Sequence, residues 1–508
     1  MVRPAVGTPN VRPTDHKRQA RLAWPVAPPE PIEVRGWGWR YAGRRAWACR
    51  GVDLRIEPGE RVLLVGPSGG GKSTLLHGIA GLLDREAAAE VEGEILVGGQ
   101  PAGTDRSLVG MLFQDPESAL MMARAGDDVA FGLENAGVPT GEIWPRVDAA
   151  LELVGFPYSG DRSTAALSGG EQQRLALAGT VVRGPSLLIL DEPTANLDPR
   201  GTTTVLDAVD RVLAETGSTL LMVEHHVQAA LPLVNRVAVL EPGGGIIDDG
   251  SPDAVFGRRG TDLATAGVWV PAPWGPPPPT PRHGPGPGPA VLDGRGLSAR
   301  YTAGAAPALE DANITLHHGE AVAVTGPNGS GKSTLALLLA GLLAPSSGSA
   351  TFRADPSRPL HRWRARDLCR RIGMVFQDPE HQFLASRVDA ELMIAPKQAG
   401  VPTEMAVRRR DELLQRLGLD RLSAANPFTL SGGEKRRLSV ATALTTRPDV
   451  VMLDEPTFGQ DARTWAELVD LCADLRDSGT ALLVVTHDEP FVDALADRGV
   501  SAAEGRLS

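Results

Sequence analysis

A glycine-rich stretch that follows an apolar run occurs twice in this chain and constrains its fold more than any other feature. Residues 62–74 read VLLVGPSGGGKST, and residues 321–334 read AVAVTGPNGSGKST. In each copy the apolar run predicts a buried strand, the glycines predict a turn, and the segment after the lysine predicts a helix. Backbone N–H groups in such a turn, with the positive end of the helix dipole, form a cradle for phosphate. A chance match would not occur twice, so we expect two phosphate-binding loops.

Both stretches have the spacing G-x-x-x-x-G-K-[ST] of a nucleotide phosphate loop. In this pattern Lys72 and Lys332 reach the terminal phosphates, while the hydroxyls of Ser73 and Ser333 bind Mg²⁺. The residues predicted to hold the nucleotide are Gly66, Pro67, Ser68, Gly69, Gly70, Gly71, Lys72, Ser73 and Thr74 in the first loop and Gly326, Pro327, Asn328, Gly329, Ser330, Gly331, Lys332, Ser333 and Thr334 in the second.

The order of motifs after the first loop returns after the second, at distances of 260 to 263 residues. Together with the length of 508 residues, this repeat indicates two copies of one domain. Residues 271–290 contain ten prolines and four glycines, which disfavour the interior of a helix or a sheet. We therefore predict a disordered basic, Pro-rich tail at 1–30, a first domain at 31–256, a Pro/Gly-rich linker at 257–290 and a second domain at 291–508.

The composition excludes several classes of protein. A net charge of −11 disfavours nucleic-acid binding as the main activity. No apolar run approaches the roughly 20 residues of a membrane-spanning helix, so the chain itself is not expected to be a channel. The three cysteines, Cys49, Cys369 and Cys472, are far apart and lack the spacing of a metal or redox pair, which predicts packing roles in a reducing compartment.

Two acidic residues end a short apolar run in each half. Asp191 and Asp454 stand where a carboxylate can hold the water shell of Mg²⁺. Glu192 and Glu455, the next residues, are placed to orient or polarise the attacking water and are the predicted catalytic carboxylates. Two solvated acids before a proline turn are the less favoured interpretation, because a buried strand precedes each pair.

Two further residue types recur at matching positions. His225 and His487 end the next apolar strand, where an imidazole can contact the γ-phosphate and sense its loss; we include them among the catalytic candidates. Gln114 and Gln377 follow a strand end and complete the predicted nucleotide and Mg²⁺ shell. Each glutamine or histidine alone would predict nothing, so these assignments depend on the repeat and on the resemblance described below.

Tyrosine is rare in this chain, and two of its three tyrosines, Tyr41 and Tyr301, stand 25 residues before the first glycine of a phosphate loop. This shared spacing predicts that each ring stacks on a nucleotide base, with core packing as the alternative.

The motif LSGGE occurs once in each half and predicts a second anion-binding helix start. Its donors are Ser168, Gly169 and Gly170 in the first half and Ser431, Gly432 and Gly433 in the second. Each half already has one phosphate loop, so the second site needs another explanation. The motif is accounted for if Ser168 closes over the nucleotide at Lys332 and Ser431 closes over that at Lys72.

With these motifs, both halves resemble the nucleotide-binding domain of ATP-binding cassette (ABC) proteins, over about residues 32–255 and 291–508. In that family LSGGE is the signature motif, Gln114 and Gln377 match the Q-loop, and His225 and His487 match the switch histidine. The resemblance implies ATP and Mg²⁺ as cofactors and two ATP sites in a head-to-tail pair of halves. The implied fold class is α/β: two tandem P-loop NTPase domains, each with a mostly parallel core sheet, a small antiparallel β subdomain and a helical subdomain.

The segments VFQDPEHQFLASRVDAEL at 375–392 and DDVAFGLENAGVP at 127–139 resemble ATPases of energy-coupling factor importers, which take up vitamins and transition-metal ions. This resemblance implies integral membrane partners, a T-component and an S-component, and a peripheral location on the cytoplasmic face of the cell membrane. One departure is Ala119, which stands where the second half has Gln382, so coupling to the membrane partner is expected to be uneven.

Two alternatives remain open from the sequence. One is the fused ATPase of another importer, for a sugar or a peptide, although both phosphate loops here are intact. The other is a soluble two-cassette factor that acts on ribosomes, in which a long charged helical arm is expected rather than a proline-rich linker.

Overall fold

The computed structural model describes residues 25–508 except residues 85, 87, 115–118, 196, 278–279 and 303–305. The predicted tail lies mostly outside the described residues. Its last part, residues 25–30, forms neither helix nor strand, and the Ala27 amide donates a hydrogen bond to the Gly184 carbonyl at 2.9 Å. No helix among the described residues is long and apolar enough to cross a membrane.

The first half begins with short strands and then alternates strands with helices. Its strands are β1 (Ile32–Tyr41), β2 (Cys49–Ile56), β3 (Arg61–Val65), β4 (Ala88–Val97), β5 (Gln100–Pro101), β6 (Val109–Leu112), β7 (Leu187–Asp191), β8 (Thr219–Val223), β9 (Arg236–Leu240) and β10 (Ile246–Gly250). Its helices are α1 (Lys72–Ile79), α2 (Ala125–Asn135), α3 (Thr140–Leu153), α4 (Gly169–Val181), α5 (Pro199–Thr216), α6 (Val227–Ala230) and α7 (Pro252–Thr265).

The second half repeats this order with small changes. Its strands are β11 (Ala290–Ala299), β12 (Leu309–His317), β13 (Ala321–Thr325), β14 (Ser347–Phe352), β15 (Asp355–Pro359), β16 (Ile372–Val375), β17 (Val450–Asp454), β18 (Ala481–Val485), β19 (Arg498–Ala503) and β20 (Arg506–Leu507). Its helices are α8 (Lys332–Leu339), α9 (Ala365–Arg371), α10 (Val388–Ala399), α11 (Thr403–Arg416), α12 (Gly432–Leu444), α13 (Ala462–Asp477) and α14 (Glu489–Leu495).

The described residues of each half form two sheets. The core sheets have the orders β10-β9-β3-β8-β7-β6 and β16-β17-β18-β13-β19-β20, parallel except for the terminal pairs β9–β10 and β19–β20. The smaller sheets, β2-β1-β4-β5 and β12-β11-β14-β15, are antiparallel. In the first half, helices α2, α3 and α4 pack together as a separate helical part. The predicted α/β class, with two tandem domains of this composition, is confirmed.

The strand sequences explain why the core sheet is sandwiched between other layers. All five residues of β7, β8, β17 and β18 are buried, as expected for parallel strands covered on both faces. Cys49 and Cys472 are buried in these cores, and burial raises the pKa of each thiol to about 12. Both therefore pack as small apolar side chains.

The first phosphate loop leaves the centre of its sheet through backbone conformations that only glycine adopts easily. Gly71, directly before α1, has φ +92°, and a Cβ there would lie 2.1 Å from the Ala48 carbonyl oxygen. Gly331 has the same role before α8, with φ +98° and 2.3 Å to the Ala308 carbonyl oxygen. The residue just before β2 or β12 thus touches each loop, which fixes the loop at the carboxyl end of β3 or β13.

The predicted linker differs from the structure at its beginning. Helix α7 extends to Thr265, so the first nine residues of the predicted range 257–290 are helical. The reason is an apolar face: Phe256, Leu263 and Val268 are buried in the core of the first half. The described residues between 266 and 289 form neither helix nor strand, in agreement with their proline content.

Replacing Gly71 with Ala is expected to destabilise the chain by more than about 1 kcal/mol, because the new Cβ meets backbone and φ is positive. Thermal unfolding, with ATP affinity as a second readout, measures the effect. Gly141→Ala is the matched control, since Gly141 lies in α3 with nothing within 4 Å of the added Cβ. Equal stability of the two variants would contradict the close approach at Gly71.

Candidate nucleotide-binding sites

The two predicted lysines lie inside their loops at equivalent positions. Lys72 Nζ donates hydrogen bonds to the carbonyl oxygens of Gly66 at 2.8 Å and Pro67 at 3.0 Å. Lys332 Nζ makes the same two contacts, with Gly326 and Pro327, at the same distances. Burial lowers the pKa of both lysines, although neighbouring carboxylates oppose this effect. Each ammonium group is therefore held against the carbonyl oxygens at the start of its loop.

Asp191 and Asp454 end β7 and β17, the strands that lie next but one to β3 and β13. The hydroxyl of Ser73 or Ser333 acts on each carboxylate and favours its charged form. Burial raises the pKa of both aspartates, that of Asp454 to about 6.

One oxygen of each aspartate, Oδ1, is buried without a hydrogen-bond partner among the described residues. A buried carboxylate oxygen with free lone pairs beside a hydroxyl is the oxygen set that Mg²⁺ prefers. The residues present therefore fit the predicted ion.

Glu192 and Glu455 have a backbone conformation that is unusual for residues with a side chain. Their φ angles are +52° and +48°, in the left-handed region. Their amides donate to the carbonyl oxygens of Val223 at 2.9 Å and Val485 at 2.8 Å, which holds the strained residue against the neighbouring strand. Such strain persists only where surrounding structure enforces it, and it is concentrated at functional sites.

Each of these glutamates contacts the histidine predicted beside it. His225 Nε2 lies 2.9 Å from Glu192 Oε1, and His487 Nδ1 lies 3.0 Å from Glu455 Oε1. Burial lowers the pKa of His225, but the hydrogen bond and charge of Glu192 outweigh it, so the pKa is raised. Burial alone would raise the pKa of Glu192. The contact with His225 outweighs burial, so the pKa of Glu192 is lowered. The pair therefore favours the ionised carboxylate beside a protonated imidazole.

The predicted glutamines occupy different surroundings in the two halves. Gln114 Nε2 donates to Glu192 Oε2 at 2.8 Å, so Gln114, Glu192 and His225 form one cluster. In the second half, Thr486 Oγ1 donates to Glu455 Oε2 at 3.1 Å. Gln377 is exposed, and its carbonyl oxygen accepts a hydrogen bond from Arg436. The two sites are thus similar in their loops and unequal around the glutamate.

The LSGGE segments begin helices α4 and α12, as predicted. Ser168 and Ser431 are the N-caps, and each forms a reciprocal capping box with a glutamate, Glu171 or Glu434. Both serines are exposed, and the glycines that follow are exposed or half-buried. These helix starts therefore present backbone amides at the surface of their half.

A turn before α5 joins the first half to the second phosphate loop. Asp198 Oδ1 accepts the Gly201 amide at 2.7 Å and so caps α5, while Oδ2 accepts the Asn328 amide at 3.1 Å. Gly170 of the LSGGE segment packs beside Gly201. The start of α4 and the second phosphate loop thus contact the same short turn.

The reciprocal approach of the halves involves the turn before α13. Asp461 caps that helix by accepting the Thr464 amide at 2.8 Å, and its charge acts on Lys72 of the first loop. Gly433 of the second LSGGE segment lies beside Gln460. Each phosphate loop therefore faces the turn that adjoins the signature segment of the other half.

Tyr41 and Tyr301 both lie against the helix that follows their phosphate loop. The Tyr41 hydroxyl is 3.3 Å from Thr74 Oγ1, and the Tyr301 hydroxyl is 3.1 Å from Thr334 Oγ1. Tyr301 is 66% exposed, whereas Tyr41 is half-buried and packs edge-on against Trp39. Both placements leave base stacking as a prediction, and Tyr41 has core contacts as well.

Sequence reasoning missed Asp198, Asp461 and Thr486. The two aspartates stand at matching positions in the repeat, just before a helix. These matching positions could have identified them from the sequence. Thr486 replaces Glu224 of the first half, and only the fold shows that it supports Glu455.

The contact between Glu192 and His225 predicts a pH-dependent contribution to stability. Because the folded pKa of His225 lies above its unfolded value, this contribution is complete below about pH 6.5 and is lost as the pH rises through the folded pKa. Replacing His225 with Gln is therefore expected to lower the thermal unfolding midpoint more at about pH 6 than at about pH 9. An equal loss at both pH values would contradict the protonated pair.

The comparisons with known proteins agree with this geometry. The family model described as ABC transporter matches residues 49–195 and 309–458. The chain is 35% identical over 473 residues to the "Putative HMP/thiamine import ATP-binding protein YkoD" of Bacillus subtilis (strain 168), covering 88% of this chain and 85% of that protein. It is 33% identical over 520 residues to the "Putative ABC transporter ATP-binding protein SCO2324" of Streptomyces coelicolor, covering 92% and 91%.

Among solved structures, a chain of the "Model of ribosome-bound archaeal Pelota and ABCE1" has a TM-score of 0.64 at 20% identity, covering 92% of this chain and 77% of that one. This likeness concerns the fold alone.

The two family matches cover more than half of the chain, and each includes one phosphate loop and one Asp–Glu pair. The resemblance to ABC proteins and the predicted ATPase activity are thereby confirmed. The chain belongs to the ABC transporter family and is an ATPase with two cassettes fused in one polypeptide.

Proposed function

We propose that this chain is the energising subunit of a membrane importer, with two composite ATP sites between its halves. The observation that carries the proposal is the Asp198 carboxylate, which caps α5 of one half and binds the Asn328 amide in the phosphate loop of the other. A nucleotide at Lys332 then lies between its own loop and Ser168, and one at Lys72 lies between its loop and Ser431.

In each site the residues have separate tasks. The loop amides and the lysine hold the phosphates, and Tyr41 or Tyr301 contacts the base. Glu192 or Glu455 orients the attacking water and accepts its proton, while the paired histidine fixes the carboxylate and senses the γ-phosphate. The signature segments, with Ser168, Gly169, Gly170, Ser431, Gly432 and Gly433, close each site from the opposite half.

The residues that would hold Mg²⁺ are Ser73, Gln114 and Asp191 in the first site and Ser333, Gln377 and Asp454 in the second. When bound, the ion neutralises charge on the β- and γ-phosphates. The free Oδ1 atoms of Asp191 and Asp454 support this assignment. Both glutamines are exposed, but Gln114 is bonded to Glu192, whereas Glu455 is bonded to Thr486 and His487. The part of Gln377 in the second site therefore depends on movement of its loop.

The proposed importer is of the energy-coupling factor type, with a T-component and an S-component in the membrane and this chain on its cytoplasmic face. Support comes from the motifs at 127–139 and 375–392 and from the relative whose name refers to HMP/thiamine import. We therefore propose a vitamin or a transition-metal ion as the transported molecule. The likeness to a ribosome-associated structure is confined to the fold and does not favour the ribosomal alternative.

An apolar groove in the first half is the proposed site for a membrane partner. It has a volume of about 600 Å³ and is lined in part by Met111, Phe113, Met121 and Phe131. Phe113 is 40% exposed and Met121 is 69% exposed. Exposed apolar side chains of this size around a groove are typical of an interaction surface.

The corresponding region of the second half is filled by polar side chains. Gln382 accepts a hydrogen bond from Ser439 Oγ at 2.7 Å and also contacts Thr442. The first half has Ala119, Ala176 and Gly179 at these three positions, and all of them line its groove. The uneven coupling expected from Ala119 alone therefore extends to three matched substitutions, which we propose give the halves different partner contacts.

Replacing both Glu192 and Glu455 with Gln is expected to retain ATP binding and to lower steady-state hydrolysis by at least about 100-fold. The reason is that no carboxylate remains at these positions to accept a proton from the attacking water. Purified protein is assayed for phosphate release and bound ATP. Asp53→Asn, which removes an exposed carboxylate that bonds the Gly36 amide, controls for the loss of a charge. Unchanged hydrolysis in the double glutamine variant would refute the catalytic assignment.

Replacing Gly179 with Leu is expected to block partner docking without loss of fold, because nothing lies within 4 Å of a Cβ there and Leu favours helix. The measurement is copurification of integral membrane proteins with the tagged chain from detergent-solubilised membranes, alongside hydrolysis by the isolated chain.

The matched control is Gly141→Leu, which adds the same side chain at another open helical position. Undiminished copurification with Gly179→Leu, or equal loss with Gly141→Leu, would contradict a docking role for this groove.

A further inference from the structure

We propose that Trp269 is a positioning residue for the ATP site at Lys72, because it fastens the turn before α13 of the second half onto the first half. This inference rests on the proposed composite sites. It adds a residue that lies outside the phosphate loops and the LSGGE segments. The segment Gly267–Trp269, directly after α7, is here called the strap.

The strap is bound to the first half close to its phosphate loop. The Val268 amide donates to the Leu263 carbonyl at 2.9 Å, and the Val268 side chain is buried in the core of that half. Val268 and Trp269 also line a small cavity that Lys72 and His225 share. Movement of the strap would therefore change the cavity beside Lys72 and His225.

The strap also binds the turn of the second half, through two hydrogen bonds. The Gly267 carbonyl accepts the Ala462 amide at 2.9 Å, and Trp269 Nε1 donates to the Gln460 carbonyl at 2.9 Å. These bonds flank Asp461, whose charge acts on Lys72. A Cβ on Gly267 would lie 3.2 Å from Asp461 Oδ1, which shows how closely the two segments approach.

A ring contact anchors Trp269 to a rigid part of the second half. Its ring packs edge-on against Trp465, with centroids 5.6 Å apart and planes at 77°. Trp465 is buried, donates to Asp488 Oδ2 at 2.7 Å and packs against Phe491. Trp465 thus keeps its place without Trp269, so loss of Trp269 should release the strap and not unfold the second half.

The second phosphate loop is held differently. It is bonded to the other half through the Asn328 amide, which donates to Asp198, and this bond includes no atom of the strap. A defect in the strap is therefore predicted to weaken one ATP site and to leave the other intact. This asymmetry separates a positioning role from general destabilisation.

The test uses ATP binding in chains that do not turn over. In a Glu192→Gln, Glu455→Gln background, Lys332→Ala leaves only the Lys72 site, and Lys72→Ala leaves only the Lys332 site. Adding Trp269→Ala is expected to weaken binding of radiolabelled ATP with Mg²⁺ about tenfold at the Lys72 site, from one lost hydrogen bond and one ring pair. Binding at the Lys332 site should change less than about twofold.

Trp274→Ala is the matched control, because Trp274 follows the strap closely but stacks on Phe256 within the first half. Trp269→Phe keeps one aromatic ring and loses the N–H donor and the second ring of the indole. It should give a smaller loss of about threefold at the Lys72 site and carries the test if the alanine variant does not fold.

Equal loss at both sites, no loss at the Lys72 site, or the same loss with Trp274→Ala would overturn the proposal for Trp269. If the lysine variants themselves fail to remove one bound ATP each, the assignment of the two sites fails instead. The two failures are thus distinguishable.

Discussion

The carboxylate of Asp198 binds two backbone amides that belong to different halves of the chain, and the proposed composite arrangement of the ATP sites depends on its bond to the second half. Capping α5 uses one oxygen, and the other remains for the Asn328 amide of the second phosphate loop. A charged acceptor at a helix start forms a stronger hydrogen bond with a backbone amide than a neutral acceptor does. The same carboxylate that ends a turn in the first cassette therefore completes a loop in the second.

The geometry of both candidate sites also depends on backbone strain at the two glutamates. Glu192 and Glu455 keep positive φ angles because the adjacent strand binds their amides and a histidine binds their carboxylates. This geometry directs each carboxylate towards the loop rather than away from it. The halves then differ where their sequences do: Gln114 joins the first cluster, whereas Thr486 supports Glu455 in the second.

Periodicity and motif spacing predict the loops, the buried strands and the repeat, because these depend on local sequence. They do not predict the end of α7, since its apolar face is recognisable only against the core that it covers. Nor do they predict contacts between halves, such as that of Trp269 with Gln460, which join residues about 190 positions apart. The matching positions of the repeat identified Ala119 and Gln382 from the sequence. The role of Ala176 and Gly179 is recognisable only in the fold, where α4 lies beside the groove.

The most direct test of the composite sites asks which signature serine closes the nucleotide held by Lys72. In a Lys332→Ala chain that retains only this site, ATP affinity is measured after Ser431→Arg and, separately, after Ser168→Arg. Both serines cap equivalent helices, so the cost to folding is matched. The proposed arrangement predicts loss of ATP binding with Ser431→Arg and near-normal binding with Ser168→Arg; the reverse result would place each signature segment in the site of its own half and contradict it.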